Sequence, residues 1–301
     1  MGFSSKPQES ASSETANSSD CDLCGANDFE LLLEKHGAAY RRCRECRFIV
    51  TSLGKTESDE ANDSYFAETI DKYVKKSFAL KKQKRYAKKL RQFRPYRKLN
   101  RLLEIGANVG GFVYQAREQG WDSVGIEPVV ACAEFAKSQH GLKVISEYLE
   151  NAGLDAESFD AIYSNAVFEH LPAPSAAFAE VRRLLRPGGV VYIDTVNYES
   201  YTRENIGAEW KLIDPTHHLC LYSPKTMRRH CEKAGLIVLE MTTHGVRFRP
   251  NHLPRLEGLA RWAEELKKLP WSIACRFSLK GDSISVLAQR PLHDASEAPV
   301  E

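Results

Sequence analysis

The stretch Arg101–Phe112, RLLEIGANVGGF, decides how the rest of the chain is read. Its opening is an apolar run short enough for a buried strand, and Gly106, Gly110 and Gly111 then make a turn before a helix. A strand feeding a glycine-rich turn and then a helix can cradle a nucleotide-like ligand, because it brings backbone amides and a helix N-terminus up to it. The spacing is not the three-glycine dinucleotide pattern, since Asn108 stands where a middle glycine is expected. Asparagine tolerates the left-handed backbone such a glycine would adopt.

From Arg101 onward, apolar runs alternate with helical patterns. This predicts an α/β fold with a mostly parallel, Rossmann-like sheet covered on both faces. Seven strands are expected, over 101–106, 123–127, 143–146, 160–165, 190–195, 236–243 and 283–289. Ser175 is placed to cap a helix with Phe178, Val181, Leu184 and Leu185 on its apolar face, stopped by Pro187-Gly188-Gly189. A second helix is expected from Ser223-Pro224 to Gly235.

Two carboxylates bracket the turn. Glu127 ends the second strand of this region and can accept hydrogen bonds from both hydroxyls of a ribose. Glu104 stands just before Gly106. There it would repel a pyrophosphate but favour a cationic sulfonium, so the turn suits S-adenosylmethionine better than a dinucleotide.

Composition bounds the alternatives. The chain has 301 residues and a formal charge of +2, which gives no whole-chain argument for a polyanionic partner. It has no apolar run of about eighteen residues, so no transmembrane helix is expected. Residues 1–19 are rich in Ser and poor in large apolar side chains, and are expected to be a disordered tail. They lack the apolar core of a secretory signal, and Lys6 spoils the myristoylation pattern begun by Met1-Gly2, so a cytoplasmic protein is the default expectation. Residues 291–301 are expected to form a second tail.

Between tail and sheet lie two further regions. Residues 20–54 hold Cys21-x2-Cys24 and Cys43-x2-Cys46, the spacing of a two-knuckle tetrahedral zinc site. Four protein thiolates leave no open position, so such a zinc is structural. Gly25 lets the first knuckle turn. Residues 55–100 form a basic helical linker: from Lys72 to Arg101 there are fourteen Lys or Arg and no acid. Val74 and Phe78, then Tyr86, Leu90 and Phe93, recur at helical spacing. That describes a helix with one buried face and a solvated basic face, or one that contacts nucleic acid, a phosphorylated substrate or an anionic membrane.

The segments LLEIGANVGG, GIEP, ESFDAIYSNAVFEHLPAP and VRRLLRPGGVVYIDTVN resemble, in that order, the class I S-adenosylmethionine-dependent methyltransferases. The likeness is close over 101–197 and looser to 290. WKLIDPTHHLCLYSPKTM (210–227), with the Cys pairs, resembles a bacterial group acting on small molecules and glycans. The resemblance implies a methyltransferase domain over 101–290, with S-adenosylmethionine and a structural zinc as cofactors. It places Glu104, Gly106 and Gly110 around the methionine end, with Asn108 the departure from its glycine. Glu127 holds the ribose, Tyr148 or Leu149 lies beside adenine, and Asn165 closes the pocket.

For the acceptor side, His218 is a base, a substrate contact or a structural residue, with His217 beside it. Trp210 and Tyr222 either line the acceptor site or pack in the core. His170 follows Glu169 where a related metal-dependent group has Glu-x-x-Glu-His, but Ala166 replaces the first acid, and helix-start packing is preferred. Three functions fit: methyl transfer to a small-molecule, glycan or lipid acceptor; RNA or protein methylation through the Cys module and basic helix; and cofactor binding without catalysis. The long excursion over 245–271 favours the first, as a roof for one acceptor.

Overall fold

A computed structural model describes residues 20–52, 69–249, 253 and 257–293. The expected tail 1–19, residues 55–68 of the linker and most of the tail 291–301 lie outside the described residues. Three short strands come first: β1 (Phe29–Lys35), β2 (Ala38–Cys43) and β3 (Ile49–Thr51). Helix α1 (Leu80–Phe93) leads to β4 (Arg101–Ile105), α2 (Gly111–Glu118), β5 (Asp122–Ile126), α3 (Val130–His140) and β6 (Val144–Ile145). Next come β7 (Phe159–Asn165), α4 (Pro174–Leu184), β8 (Leu185–Val196), α5 (Tyr201–Ile206) and β9 (Cys220–Leu221). The chain continues through α6 (Pro224–Lys233), β10 (Ile237–His244), α7 (Gly258–Ser278) and β11 (Ser283–Gln289).

Seven of these strands make one sheet, in the order β10-β11-β8-β7-β4-β5-β6. All seven expected strands are in it. β11 runs antiparallel to both neighbours, and the pairs β4–β5, β4–β7, β5–β6 and β7–β8 are parallel. β7 and β4 are buried along nearly their whole length, as the central strands of a parallel sheet are. This is the Rossmann-like architecture expected from the sequence.

The basic stretch is two helical pieces rather than one. Residues 69–77 are helical, the chain bends, and α1 begins at Leu80. The break separates two apolar faces. Tyr86, Leu90 and Phe93 pack with Leu102, Phe112, Tyr163 and Val190, whereas Val74 and Phe78 pack with Val109, Val129 and Cys132. The stretch therefore lies on the sheet and over the Gly106–Gly110 turn.

The cap of α4 departs from expectation. Ser175 lies inside the first turn, and its hydroxyl and backbone amide both donate to Asp22, at 2.9 Å each. The acceptor for the helix start thus comes from between the first two cysteines, a partner more than 150 residues away that no local pattern encodes. The second helix starts as expected, with Ser223 and Thr226 in a capping box.

The Cys module is joined to the rest through its own sheet, whose order is β1-β2-β3-β9. The fourth strand is supplied by the segment after His218. Lys35 Nζ donates to the carbonyls of Ala208 and Ile213 at 2.8 Å each, and Thr51 N donates to Leu219 O at 2.8 Å. Cys21, Cys43, Cys46 and Phe48 belong to the same apolar cluster as β7 and β8.

Asp160, fully buried on β7, accepts from Arg186 Nε at 2.6 Å and from the backbone amides of Leu99 and Arg101. Burial pushes its pKa up, but the Arg186 bond and the amides outweigh it and hold the carboxyl below its ordinary value of 3.8. A depressed carboxylate contributes stability above its unfolded-state pKa and loses it as pH falls through the folded value. Asp160→Ala, which strands the Arg186 guanidinium, is expected to cost about 3–5 kcal/mol at pH 7. In urea titrations the difference from wild type should shrink only below about pH 4, where the carboxylate protonates. A difference that stays constant from pH 7 to pH 3 would show that the charge is irrelevant.

Candidate active site

Chain order in the sheet reverses at β4. β5 and β6 lie on one side of it, β7 and β8 on the other. Crossovers leave such a point in opposite directions and open a crevice beyond the strand ends, where α/β sheets hold ligands. Glu104 and Ile105 end β4, and Asn165, exposed, ends β7. The Gly106–Gly110 turn forms the crevice floor.

Gly106 and Gly110 adopt φ of 74° and 81°, and Asn108 takes the left-handed conformation expected of it, at 49°. The space in front of both glycines is filled by protein. A Cβ on Gly106 would lie 2.3 Å from Val167 Cγ2, and one on Gly110 would lie 2.5 Å from Leu142 Cδ1. These glycines therefore admit the packing of neighbouring segments, a demand the spacing alone did not reveal. Gly111 is equally tight, because Ser77 at the end of the first helical piece sits on it.

Glu127 ties the turn together. Its Oε2 accepts from Asn108 N at 2.7 Å and its Oε1 from Val129 N at 2.9 Å. Glu104 is buried, with Val113 N donating to Oε2 at 3.2 Å. Burial drives its pKa well above the usual carboxylate range, and Glu127 adds to the rise against the weaker pull of the Val113 amide and Lys82. A buried carboxylate so thinly compensated is suited to a cationic group lodged beside it. The donor set of this crevice thus fits S-adenosylmethionine. Tyr148 is half-buried, and Leu149 is part of the main core.

The opposite wall is a single turn after β7, Phe168–His170, faced by the segment from Trp210 to Leu221. Glu169 is buried and accepts from Thr195 Oγ1 at 2.6 Å. His170 Nδ1 meets the carbonyl of His217 at 2.6 Å, and His218 Nδ1 meets that of Leu212 at 2.9 Å. A carbonyl can only accept, so each Nδ1 carries a proton. The two rings meet edge to face at 5.0 Å, and ligand atoms of Glu169, His170 and His218 lie within 4.8 Å of one another. Burial lowers the pKa of His218, with Glu169 opposing, so the ring is neutral at neutral pH. His170 is thus a member of this cluster rather than helix-start packing alone.

His217 is part-exposed and bonded to Thr216 and Asp214. For Trp210 and Tyr222 the structure shows the packing alternative. Trp210 and Tyr222 are fully buried: Trp210 in the cluster with Tyr40 and Ile213, Tyr222 in the main core with its hydroxyl donating to Phe168 O. Their apolar surface is consumed in joining the Cys module to the sheet.

A polar cluster on the other face of β8 was not singled out from the sequence. Asp194 accepts from Ser285 Oγ at 2.5 Å, Tyr192 donates to Ser285 Oγ at 2.8 Å, and His244 Nε2 lies 3.8 Å from Asp194. Burial raises the Asp194 pKa. Lys89 lies over the Tyr192 ring, 3.4 Å from its centroid, and burial lowers its pKa to about 8. The signal available was Asp194 at the C-terminal end of an apolar strand, where ligand-facing residues gather.

The four cysteines converge as the spacing predicts. Cys21 and Cys46 Sγ lie 3.5 Å apart, Cys24 and Cys43 Sγ 3.6 Å, and all four within 4.8 Å. Four thiolates about 2.3 Å from one zinc would be about 3.8 Å apart, so the set fits a tetrahedral ion. Each knuckle is closed by a left-handed residue whose amide donates to the first cysteine's carbonyl: Gly25 to Cys21 and Arg47 to Cys43. Arg47 in that role carries no sequence signal.

The Methyltransferase domain family matches residues 78–241, more than half of the chain. The ubiquinone biosynthesis O-methyltransferase of Aeromonas salmonicida is 29% identical over 163 residues, covering 50% of this chain and 67% of that protein. Its counterpart from Aromatoleum aromaticum is 29% identical over 162 residues, covering 50% and 68%. Among solved structures, a chain from the complex between the Haloferax volcanii Trm112 methyltransferase activator and a methyltransferase superimposes with a TM-score of 0.54. It is 15% identical and covers 75% of this chain and 98% of that one. At that identity the likeness shows the fold alone.

Replacing Glu127 removes a brace of the turn along with any bond to a ligand. Glu127→Ala is expected to weaken S-adenosylmethionine binding by roughly 1–3 kcal/mol in titration calorimetry. An unchanged dissociation constant removes Glu127 from the cofactor site.

Proposed function

This chain belongs to the methyltransferase family and is a class I S-adenosylmethionine-dependent methyltransferase, and from that premise we propose that its acceptor is a small molecule, glycan or lipid. The observation that carries the proposal is the cluster of Glu169, His170 and His218, which the chain forms directly after β7, the strand next to β4 and Glu104. A wall with two imidazoles and a buried carboxylate suits a single hydroxyl-bearing group. The O-methyltransferase relatives support the same class of acceptor.

S-adenosylmethionine, when bound, supplies an electrophilic methyl group. Glu104 and Asn165 would face its methionine end, the Gly106–Gly110 turn, whose amides are held by the protein itself, would border its middle, Glu127 would hold the ribose, and Tyr148 or Leu149 would lie beside adenine. On the other wall, His218 holds its Nδ1 proton on the Leu212 carbonyl and presents a neutral Nε2. That nitrogen can take the proton of an acceptor hydroxyl. Glu169 then stabilises the imidazolium, held in place by Thr195. His170 is oriented by the His217 carbonyl and packs against the His218 ring.

We assign a zinc to Cys21, Cys24, Cys43 and Cys46, and regard the Cys module as part of the acceptor wall. Tyr40 donates to His218 O at 2.7 Å, Thr51 Oγ1 to Pro215 O at 3.1 Å, and β3 pairs with β9. A module that holds the His218 segment in this way has a reason to be present without docking nucleic acid. The apolar face of the basic stretch is likewise spent on the sheet and the turn.

Two measurements test these readings. His218→Asn should lower single-turnover methyl transfer about a hundredfold or more while cofactor affinity stays near wild type. The wild-type rate should rise with pH through an apparent pKa below the ordinary histidine value of 6.5, because burial favours the neutral ring. An unaltered single-turnover rate removes His218 from the mechanism, and a rate abolished by chelator before zinc leaves the cysteines would put a cation at Glu169, His170 and His218 instead.

For the zinc, elemental analysis of reduced, anaerobically purified protein should give about one zinc per chain. Its removal should raise hydrogen exchange in β1–β3 and in 210–221 before the sheet, since metal-binding energy is folding energy in such modules. Protein without zinc, or exchange in 210–221 indifferent to its removal, contradicts the assignment.

A further inference from the structure

Helix α7 carries an apolar stripe that the described residues leave uncovered. Leu259, Trp262, Leu266, Leu269, Ile273 and Phe277 are all exposed, from 48% for Leu266 to 87% for Leu259. At about 100° per residue they fall within an arc of about 80°, over a length of about 27 Å. The opposite face is the one bound to the molecule. Cys275 is buried against Thr243, Trp271 packs on Tyr201, and Glu264 and Lys268 pair with each other at 2.7 Å. A contiguous exposed stripe of this kind marks a contact surface.

The stripe is self-complementary. Its positions are spaced 3-4-3-4-4, as in a coiled-coil seam, and lie almost symmetrically about the point between Lys267 and Lys268. Two copies laid antiparallel set Leu259 against Phe277, Trp262 against Ile273 and Leu266 against Leu269, so most layers join a larger side chain to a smaller one. A parallel arrangement would set Trp262 against itself. Beside the stripe, Ala263, Pro270 and Ser272 are uncharged, and Glu265 would meet the neighbourhood of Pro270 and Ser272, so no like charges are forced together. A helix that lies on a lipid surface carries Lys and Arg along its polar face. Here the inward-facing Lys268 is already paired with Glu264, and the two charged positions that flank the stripe, Glu265 and Arg276, are of opposite sign rather than a row of cations.

We propose that α7 is the interface of a homodimer, two copies meeting antiparallel across this stripe in an isologous contact. A seam of this length buries on the order of 1,000 Å² in total, the lower bound for a specific interface, so the dimer is reversible. In sedimentation equilibrium the full chain should show a concentration-dependent dimer. Leu266→Glu should weaken it at least about a hundredfold, because a charge would be buried in the central layer. Adding Leu269→Lys to the same chain should restore dimerisation to within about tenfold of wild type, because in the antiparallel register alone the introduced acid of each copy faces the introduced base of the other. Leu259→Lys serves as a second single variant, and unchanged circular dichroism and S-adenosylmethionine binding show that each variant is folded. A wild-type chain that is monomeric throughout, a dimer indifferent to Leu266→Glu and Leu259→Lys, or a double variant that stays monomeric each overturns the proposal. So does a monomer that co-sediments with phosphatidylcholine–phosphatidylglycerol vesicles through these residues, which would assign the stripe to a lipid surface.

Discussion

The reversal of strand order at β4 is the constraint on which the rest of the molecule depends. Parallel strands need crossovers, and crossovers in such sheets are right-handed. Once the chain has gone outward through β5 and β6 and returned to β7, the helices on the two sides must cover opposite faces. The ends of β4 and β7 are then left without a connection above them. That gap collects the Gly106–Gly110 turn, Glu104, Glu127 and Asn165 on one side and the Phe168–His170 turn on the other.

Burial in this frame sets the electrostatics. Each buried acid is handled by a different means. Asp160 is neutralised by Arg186, and Glu127 accepts one amide from its own loop and one from the turn after β4. Glu104 has one modest donor among its described bonds, at 3.2 Å, and is driven towards its neutral form. The least compensated carboxylate lies at the proposed cofactor crevice, a common trade in which a site is less stable than the fold around it. His218 is similar in kind: loss of solvent holds its ring neutral, and the Leu212 carbonyl decides which nitrogen is available.

The Cys module and the sheet share their contacts so fully that each completes the other. Asp22 accepts from the start of α4, and β9 completes the sheet of β1–β3. The segment that carries His217 and His218 runs between the two, which is why Trp210 and Tyr222 are spent on packing and not on an acceptor. The basic stretch tells the same story. Its charge drew attention to an anionic partner, yet its apolar residues are consumed on the sheet and over the Gly106–Gly110 turn, and Ser77 sits on Gly111.

What could be read from the chain alone was what is local in cause. Short apolar runs became strands of the seven-stranded sheet, because burial of its central strands on both faces demands continuous hydrophobicity. Asn108 took a left-handed turn, and the paired C-x2-C spacing brought four sulfurs together. Roles that depend on a partner distant in sequence were decided only by tertiary structure. Asp22 as the acceptor for α4, β9 as a strand of the Cys module, Val167 against Gly106, and Glu169 beside two imidazoles are examples. Asp194 among Ser285 and His244 is another. Periodicity and spacing report how a residue relates to its neighbours in the chain. Burial, hydrogen-bond partner and pKa are set by what the fold brings up against it, and that is where the sequence stops and the structure begins.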